Sequence, residues 1–259
     1  MAHGEEPLVI APSTAAASQP PPLARGDALF TDFDGTLVEI ASAPDRIVVV
    51  SDLPALLQRI AGRLDGAVAV ISGRPLADLT HRLAGYTGAA VGNHGLERRN
   101  AGGVIHRPHA DPTLERVWPV IHQFAALTPG VTIEDKSLAI AIHYRDRPEL
   151  ADTCRRVAER AVLLSENQLT MLTGKMVVEL RPRGTDKGRA VETFLAEPEF
   201  HGKRPVFIGD DWTDEAGFAV ANRLDGIAIH VGGGESIARY RLDSVAGVIR
   251  WLEAFLAAT

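Results

Sequence analysis

The sequence predicts an α/β protein in which a doubly wound parallel sheet is interrupted by an inserted α+β unit of order αββαββ. Short apolar runs alternate with amphipathic helical patterns in both outer parts of the chain. The middle of the chain instead has pairs of strand patterns joined by polar turns. Acidic motifs follow two of the apolar runs, at the points where a parallel sheet opens towards a ligand crevice.

Composition sets the first limits on function. With 259 residues, 46% of them hydrophobic and 23% charged, the chain can bury a core in one large or two modest domains. The net charge of -6 and the lack of a Lys/Arg cluster argue against nucleic acid as a partner. Cys154 is the only cysteine, so we exclude an intrachain disulfide and a multi-cysteine metal site, and we assign it to helix packing.

The first 107 residues contain a tail and the first part of the core. Residues 1–26 are rich in Ala, Pro and Ser and are predicted to be a disordered tail. The apolar run before Gly35 is the first strand, Asp52 opens the first helix, and Pro75 lies in the first turn of the second. The predicted order is strand 27–33, helix 51–64, strand 66–71, helix 75–84 and strand 89–92.

Residues 108–183 are predicted to form a separate lid domain between core parts 27–107 and 184–259. Asp135-Lys-Ser and Thr173-Gly-Lys resemble hairpin turns, which implies an antiparallel sheet. The insert is predicted as helix 112–127, strands 131–135 and 138–144, helix 148–162, and strands 168–173 and 176–181. The returning core is predicted as helix 187–196, strand 205–209, helix 214–223, strand 226–230, and helices around 235–240 and 244–257.

Asp32 and Asp34 stand at the end of the first strand. Residues two apart in a strand point the same way, but Gly35 lets the chain turn so that the side chain and carbonyl of Asp34 serve different tasks. A tight turn or a calcium loop would use the same residues, although a calcium loop needs oxygen ligands that the following Leu-Val-Glu-Ile-Ala does not supply. We favour phosphoryl transfer, with Asp32 as nucleophile and Asp34 as general acid and then general base.

Three further groups complete such a site. Ser72 and the neighbouring amides can hold phosphate oxygens at a helix N-terminus, and Arg74 can support that loop or bind an acid. Lys187 and Mg²⁺ would offset the charge of phosphate among carboxylates. Taken singly, these groups are often only a helix start, a surface lysine or an acidic first turn. The predicted metal ligands are Asp32, the Asp34 carbonyl and Asp210, with Asp211 or Asp214 as a further ligand or supporting group.

These motifs, in this order, resemble those of the haloacid-dehalogenase-like phosphatase superfamily, which implies a Rossmann-like core and makes the insert similar to its C2-type cap. A finer resemblance, over about residues 27–257, is to the trehalose-6-phosphate phosphatase family. It rests on the stretches 92–97, 134–136, 143–145, 178–188 and 209–218.

The resemblance implies that Glu134, Lys136 and Glu179 bind the glucose ring farther from the phosphate. By strand geometry alone, Glu134 and Lys136 share a face and Glu179 can join them, and without the resemblance a surface cross-strand salt bridge would be the preferred explanation. His143 is interpreted as a hydrogen-bonded core residue. Further substrate contacts are expected at the crevice from Gly35, Thr36, Gly73, Arg74, Asn93 and His94.

The activity implied is Mg²⁺-dependent hydrolysis of trehalose 6-phosphate, the last step of trehalose biosynthesis, with the lid excluding water. One alternative is a related phosphatase acting on another sugar phosphate, such as sucrose 6-phosphate. The other is a non-catalytic sugar-phosphate sensor or a phosphatase-like subunit of a trehalose-synthesising assembly. Because no apolar run approaches the ~20 residues that span a bilayer, we expect a cytoplasmic protein without a membrane partner. We also expect a monomer, and association with a trehalose-6-phosphate synthase stays open.

Overall fold

The computed structural model describes residues 18–41, 46–107, 112–136, 139–174 and 176–258. Two sheets organise this part of the chain, one of eight strands and one of four. The first part of the core contains β1 (Asp27–Thr31), α1 (Leu53–Arg63), β2 (Val68–Ile71), α2 (Leu76–Arg82), β3 (Ala89–Gly92), β4 (Glu97–Arg99) and β5 (Ile105–His106). The second contains α5 (Lys187–Leu195), β10 (Arg204–Gly209), α6 (Glu215–Arg223), β11 (Ile227–Val231), β12 (Tyr240–Leu242) and α7 (Val245–Ala257).

The core sheet has the strand order β12-β11-β10-β1-β2-β3-β4-β5. All pairs from β12 to β3 are parallel, and β4 and β5 extend the sheet as antiparallel strands. From β1 the chain builds towards β2 and β3, and it later returns to build β10, β11 and β12 on the other side. Such a change of direction leaves a crevice at the carboxyl ends of the central strands. The site is therefore expected beside the ends of β1 and β10.

The cap sheet has the order β6-β7-β9-β8, and all of its pairs are antiparallel. Its apolar face, which includes Ile140, Val178 and Leu180, joins residues of the two cap helices in an apolar cluster that shares no residue with the core cluster. Cys154 is buried in this cluster, as predicted. The cap contains α3 (Pro112–Leu127), β6 (Thr132–Asp135), β7 (Ile140–His143), α4 (Ala151–Leu164), β8 (Leu169–Gly174) and β9 (Val177–Pro182).

The predicted fold class is confirmed, with local corrections. The helix expected around 235–240 is wrong: the chain there leads into the edge strand β12, because Glu215 and Asn222 of α6 hydrogen-bond the backbone of Ile237. The strands β4 and β5 were not predicted. Residues 18–26, assigned to a disordered tail, are ordered, since Leu23 is buried in the core. Residues 1–17 lie outside the described residues, as do turn positions 137, 138 and 175.

Two further points concern boundaries and membranes. The cap boundary predicted at residue 108 falls on 108–111, outside the described residues, so the division at 108 and 184 stays a prediction. Across the ranges that the structure describes, no helix combines the length and the apolar character needed to cross a bilayer.

Candidate active site

The carboxyl ends of three neighbouring strands bring the predicted catalytic groups to one edge of the core sheet. Asp32 follows β1, Ser72 follows β2 and Asp210 follows β10. The backbone pairing continues one residue past the strands, because Asp32 N donates to the Ile208 carbonyl at 2.8 Å and Ser72 N donates to the Val91 carbonyl at 2.9 Å. Asp32 and Ser72 are thus positioned by hydrogen bonds that continue the sheet.

Lys187 lies among the carboxylates of this edge. It is the first residue of α5, whose N-terminus is capped by the Asp186 side chain. Its Nζ donates to Asp32 Oδ1 at 2.8 Å and to Asp214 Oδ1 at 2.7 Å, and all three residues are buried. Although burial opposes its charged form, Asp32 and Asp214 raise the pKa of Lys187. The lysine therefore carries a fixed positive charge beside Asp32.

Asp214 is fully engaged by protein groups. While its Oδ1 accepts from Lys187, its Oδ2 accepts from the backbone N–H groups of Asp210 and Asp211 at 3.0 and 3.1 Å. A β-carbon at Gly209 would collide with the Asp214 side chain, so the close approach requires glycine there. Asp214 holds the lysine and the Asp210 loop in one arrangement.

Asp210 and Asp211 point to different partners. Asp211 accepts from Thr213 N at 2.8 Å and Thr213 Oγ1 at 2.6 Å, which caps a short 3-10 turn. Asp210 faces Gly35 and Thr36, with Thr36 Oγ1 at 3.5 Å from its Oδ1. Gly35 has φ +80°, and a β-carbon there would collide with the Asp210 carboxylate. Of these two aspartates, Asp210 is the one directed at the Asp32 loop.

The carboxylates of Asp32, Asp210 and Asp214 lie close together, and Lys187 supplies a single positive charge among them. One oxygen each from Asp32, Asp210 and Asp214 lies within 4.8 Å of the others. Burial, with carboxylate repulsion and against the pull of Lys187, raises their pKa values to about 7 for Asp32, about 6 for Asp210 and about 8 for Asp214. Hard oxygen donors that repel one another are suited to a divalent cation. The cluster is compatible with such an ion.

Arg74 holds Asp34 in a two-point ion pair. Its Nε and Nη2 donate to the two Asp34 oxygens at 2.7 and 2.8 Å, and its Nη1 donates to Asp78 at 2.9 Å. This fork-like geometry fixes the orientation of a carboxylate. Two roles were considered for Arg74, support of its loop and binding of an acidic side chain. In the structure it binds the carboxylate of Asp34, and only 12% of its side chain is exposed. Asp34 stays partly exposed at 34% and lies outside the carboxylate cluster.

Ser72 and Asn93 lie on neighbouring loops of the same edge. Ser72 is buried and its Oγ accepts from Arg74 N at 3.1 Å, across Gly73. Asn93 adopts φ 48° and donates from its backbone to the Arg74 carbonyl at 2.8 Å. Its Oδ1 is buried without a hydrogen-bond partner among the described residues. The side chain of the predicted contact His94 lies outside the part of the chain that the structure describes.

The polar face of the cap sheet contains the predicted sugar-binding residues. Glu134 pairs with Ala141 in register, and Ala141 pairs with Glu179, so the two glutamates share a face. Lys136 Nζ donates to Glu179 at 2.6 Å, while Glu134 lies 2.8 Å from His143 Nε2. The core interpretation of His143 is wrong: its side chain is 39% exposed, because it stands on the face opposite Ile140 and Ile142.

Arg181 is a site residue that the sequence interpretation missed. It lies two residues after Glu179 on β9, on the same polar face. The side chain is buried, and its Nε has no hydrogen-bond partner among the described residues. Arg181 lines a cavity of about 80 Å³ with Lys187 and the exposed Trp212. The alternation of β9 that placed Glu179 was the signal available for Arg181.

Comparison with known proteins decides the family. The model of the trehalose-phosphatase family matches residues 30–246. The chain belongs to the trehalose-phosphatase family. It is 41% identical over 242 residues to the trehalose-6-phosphate phosphatase of Escherichia coli, which covers 93% of this chain and 91% of that protein. It is 40% identical over 205 residues to the probable trehalose-phosphate phosphatase of Sinorhizobium fredii, covering 79% and 77% of the two chains.

Solved structures agree with this family assignment at the level of the fold. The C-terminal domain of C. albicans trehalose-6-phosphate phosphatase superposes with a TM-score of 0.73 at 22% identity, covering 95% of this chain and 100% of that one. The predicted α/β fold with an inserted cap is thereby confirmed. As a member of the trehalose-phosphatase family, the chain is a phosphatase, and the family implies a divalent metal ion.

Proposed function

We propose that the protein hydrolyses trehalose 6-phosphate to trehalose and phosphate with Mg²⁺, through a phosphoryl group held covalently on Asp32. The observation that carries the proposal is that Asp32 and Asp34, two residues apart, have different ionic partners and different exposure. Asp32 is buried against Lys187, whereas Asp34 is oriented by Arg74 and stays accessible. Hydrolysis in two displacements needs one nucleophilic and one proton-transferring carboxylate. The family assignment supports trehalose 6-phosphate as the substrate.

In the first displacement, an Asp32 oxygen attacks phosphorus and the bond from phosphorus to the sugar oxygen breaks. Asp34 gives its proton to that oxygen as trehalose leaves, so no alkoxide is released. Lys187, at 2.8 Å from the Asp32 carboxylate, offsets the charge that the phosphate brings. Ser72 directly follows β2, and we propose that its hydroxyl and the Gly73 amide donate to phosphate oxygens.

In the second displacement, Asp34 takes a proton from water and the water oxygen attacks phosphorus. The bond between phosphorus and Asp32 breaks, which returns the carboxylate and releases phosphate. Arg74 keeps the Asp34 carboxylate in one orientation during both steps, since two parallel hydrogen bonds hold it. Each Asp34 oxygen keeps a second lone pair, so the same carboxyl group can act as acid and then as base while it is bound to Arg74.

Asp32, Asp210 and the Asp34 carbonyl are the groups that we propose to hold Mg²⁺, with Asp214 behind them. A bound Mg²⁺ supplies charge neutralisation for the phosphate oxygens. Asp214 is assigned the supporting role because both of its oxygens already accept hydrogen bonds from Lys187 and two backbone amides. Asp211 is likewise assigned to the cap of its turn. Both assignments stay predictions.

The polar face of the cap is proposed to select the sugar. Glu134, Lys136 and Glu179 offer charged donors and acceptors for sugar hydroxyls, on a strand face that leads through Arg181 to Lys187. The catalytic groups of the core domain act on the phosphate, and they do not distinguish one sugar from another. The choice between trehalose 6-phosphate and another sugar phosphate therefore depends on this face. A cytoplasmic location and a monomeric state remain expectations from the sequence.

The test is phosphate release from trehalose 6-phosphate, sucrose 6-phosphate and glucose 6-phosphate, each with Mg²⁺ and with EDTA. We expect selective release from the first and loss of activity in EDTA that Mg²⁺ restores. Preferred release from another sugar phosphate would keep the chemistry and overturn the proposed sugar. Tight binding of trehalose 6-phosphate without phosphate release would favour the sensor, and full activity in EDTA would contradict the proposed metal.

A further inference from the structure

We propose that Glu97 is a positioning residue for the acid/base carboxylate Asp34, acting through the loop that presents Arg74. The inference rests on the proposed function, in which Asp34 transfers the protons. Glu97 is the first residue of β4, a strand that the sequence did not predict. It does not touch the carboxylate cluster. Its contacts instead run to the backbone that supports Arg74.

Three donors converge on the Glu97 carboxylate. Oε2 accepts from the backbone N–H of Leu76 at 2.9 Å and from Asn93 Nδ2 at 3.1 Å. Oε1 lies 3.1 Å from Arg107 Nε. Only 13% of the Glu97 side chain is exposed. A carboxylate so far out of water is costly unless it is paired and hydrogen-bonded, and these three partners supply that compensation.

The hydrogen bond to Leu76 replaces a missing helix cap. Leu76 is the first residue of α2, and Pro75 before it provides no side-chain cap. The free N–H groups of a helix start are normally satisfied by a nearby Ser, Thr, Asp or Asn. Here the acceptor comes from another element, and its negative charge is also favoured at that end of the helix. Glu97 thus fixes α2 relative to β4.

The same carboxylate fixes the loop from its other side. Asn93, which donates its side-chain N–H to Glu97, donates its backbone N–H to the Arg74 carbonyl at 2.8 Å. A β-carbon at Gly92 would lie 2.8 Å from that carbonyl, so the two loops are in close contact. The backbone of Arg74 is held by these contacts, and its side chain donates two hydrogen bonds to Asp34. Glu97 therefore influences the orientation of Asp34 indirectly, through the loop that holds Arg74 and through Arg74 itself.

Leaving-group dependence separates positioning of a general acid from general support of the fold. A sugar alcohol is a poor leaving group and requires the proton of Asp34, whereas p-nitrophenolate departs without one. The experiment compares kcat/KM for trehalose 6-phosphate and p-nitrophenyl phosphate in the wild type, Glu97→Gln, Glu97→Asp and Asp34→Asn. Glu159→Gln is the matched control, since Glu159 is exposed and pairs with Arg155 on α4. Thermal melts check that each variant is folded.

We expect Glu97→Gln to lower kcat/KM for the sugar phosphate by about tenfold through a lost charged acceptor, with little loss on the aryl ester. Glutamine keeps one oxygen that can accept from Leu76 and Asn93, but it loses the negative charge, and its amide nitrogen then faces the Arg107 guanidinium, which is also a donor. Asp34→Asn should show the same discrimination more strongly, and Glu159→Gln should show none. Glu97→Asp, which keeps the charge on a shorter side chain, should lie between the wild type and Glu97→Gln.

Equal losses on both substrates, or no loss on either, for a folded Glu97→Gln would overturn the inference while Asp34→Asn still discriminates. If Asp34→Asn itself shows no discrimination, the proposed role of Asp34 fails and the inference about Glu97 fails with it. The two failures are distinguished by the Asp34→Asn measurement alone.

Discussion

The carboxyl edge of the core sheet and the polar face of the cap sheet both pair acids with bases, but they differ in burial. At the core edge, Lys187, Asp32 and Asp214 have side chains that are 3%, 6% and 0% exposed. On the cap face, the Glu134 and His143 side chains are 52% and 39% exposed. Charge interactions are strong in the first setting and screened in the second. The reactive groups are thus preorganised, whereas the exposed Glu134–His143 pair can be exchanged for substrate hydroxyls. The second cap pair, Lys136 and Glu179, is 20% and 10% exposed and lies between these two settings.

The largest expected effect follows from Asp32→Asn. An amide is not a competent nucleophile, so we expect turnover of trehalose 6-phosphate to fall by roughly 10⁴-fold or more, as for other nucleophile deletions. Phosphate release measures the loss, and a thermal melt checks the fold. Asp65→Asn is the matched control, because Asp65 is an exposed residue with φ 56° that asparagine also tolerates. Turnover within tenfold of the wild type would refute the assignment of Asp32.

The next effect tests how strongly the core edge depends on one cation. Lys187→Met leaves Asp32 and Asp214 buried without their counter-charge, which we expect to lower the free energy of unfolding by about 3–5 kcal/mol near pH 8. Urea unfolding in EDTA measures this change. Arg155→Met is the comparison, because Arg155 is half exposed, pairs with the exposed Asp152 and Glu159, and its loss should be small. An equal effect of the two substitutions would remove the contrast between buried and exposed pairs.

The same variant has a pH dependence whose sign follows from the raised carboxyl pKa values. In the metal-free protein, Asp32 and Asp214 have folded pKa values of about 7 and about 8, above the ordinary 3.8 of the unfolded chain. The folded state therefore binds more protons, and stability falls as pH rises between about 4 and 8. Removing Lys187 steepens that fall, so the difference between wild type and Lys187→Met should shrink towards pH 5. If the difference in free energy of unfolding between wild type and Lys187→Met did not change with pH, the assignment of raised pKa values to Asp32 and Asp214 would be contradicted.

The sequence was most informative where a motif ends a strand. Asp32, Asp210 and Lys187 could be grouped because parallel strands deliver their carboxyl ends to one edge. The pairing of Arg74 with Asp34 depends on side-chain directions across 40 residues of chain, which no local pattern encodes. Glu97 was missed because its partners are backbone groups on other elements. His143 was misplaced although β7 alternates, with the isoleucines on one face and His143 on the other.

A smaller effect is expected where the cap face meets the core edge, at Arg181. Arg181 lines the cavity beside Lys187, and its buried Nε has no hydrogen-bond partner among the described residues, so we expect a substrate oxygen to be that partner. We expect Arg181→Met to raise KM for trehalose 6-phosphate by about tenfold, the value of one hydrogen bond to a charged group, with little change in kcat. The control is Arg155→Met on the exposed face of α4. A fall in kcat at unchanged KM would move Arg181 from substrate binding to the chemical step.

The smallest effect concerns the exposed pair of Glu134 and His143. Because both side chains are largely in water, their coupling should contribute no more than about 1 kcal/mol to the free energy of unfolding. A double-mutant cycle with Glu134→Gln and His143→Gln measures that coupling by urea unfolding. Glu134→Gln should nevertheless raise KM for trehalose 6-phosphate while leaving hydrolysis of p-nitrophenyl phosphate unchanged. A strong coupling energy with an unchanged KM would make this pair structural, and the sugar-binding assignment of Glu134 would then be wrong.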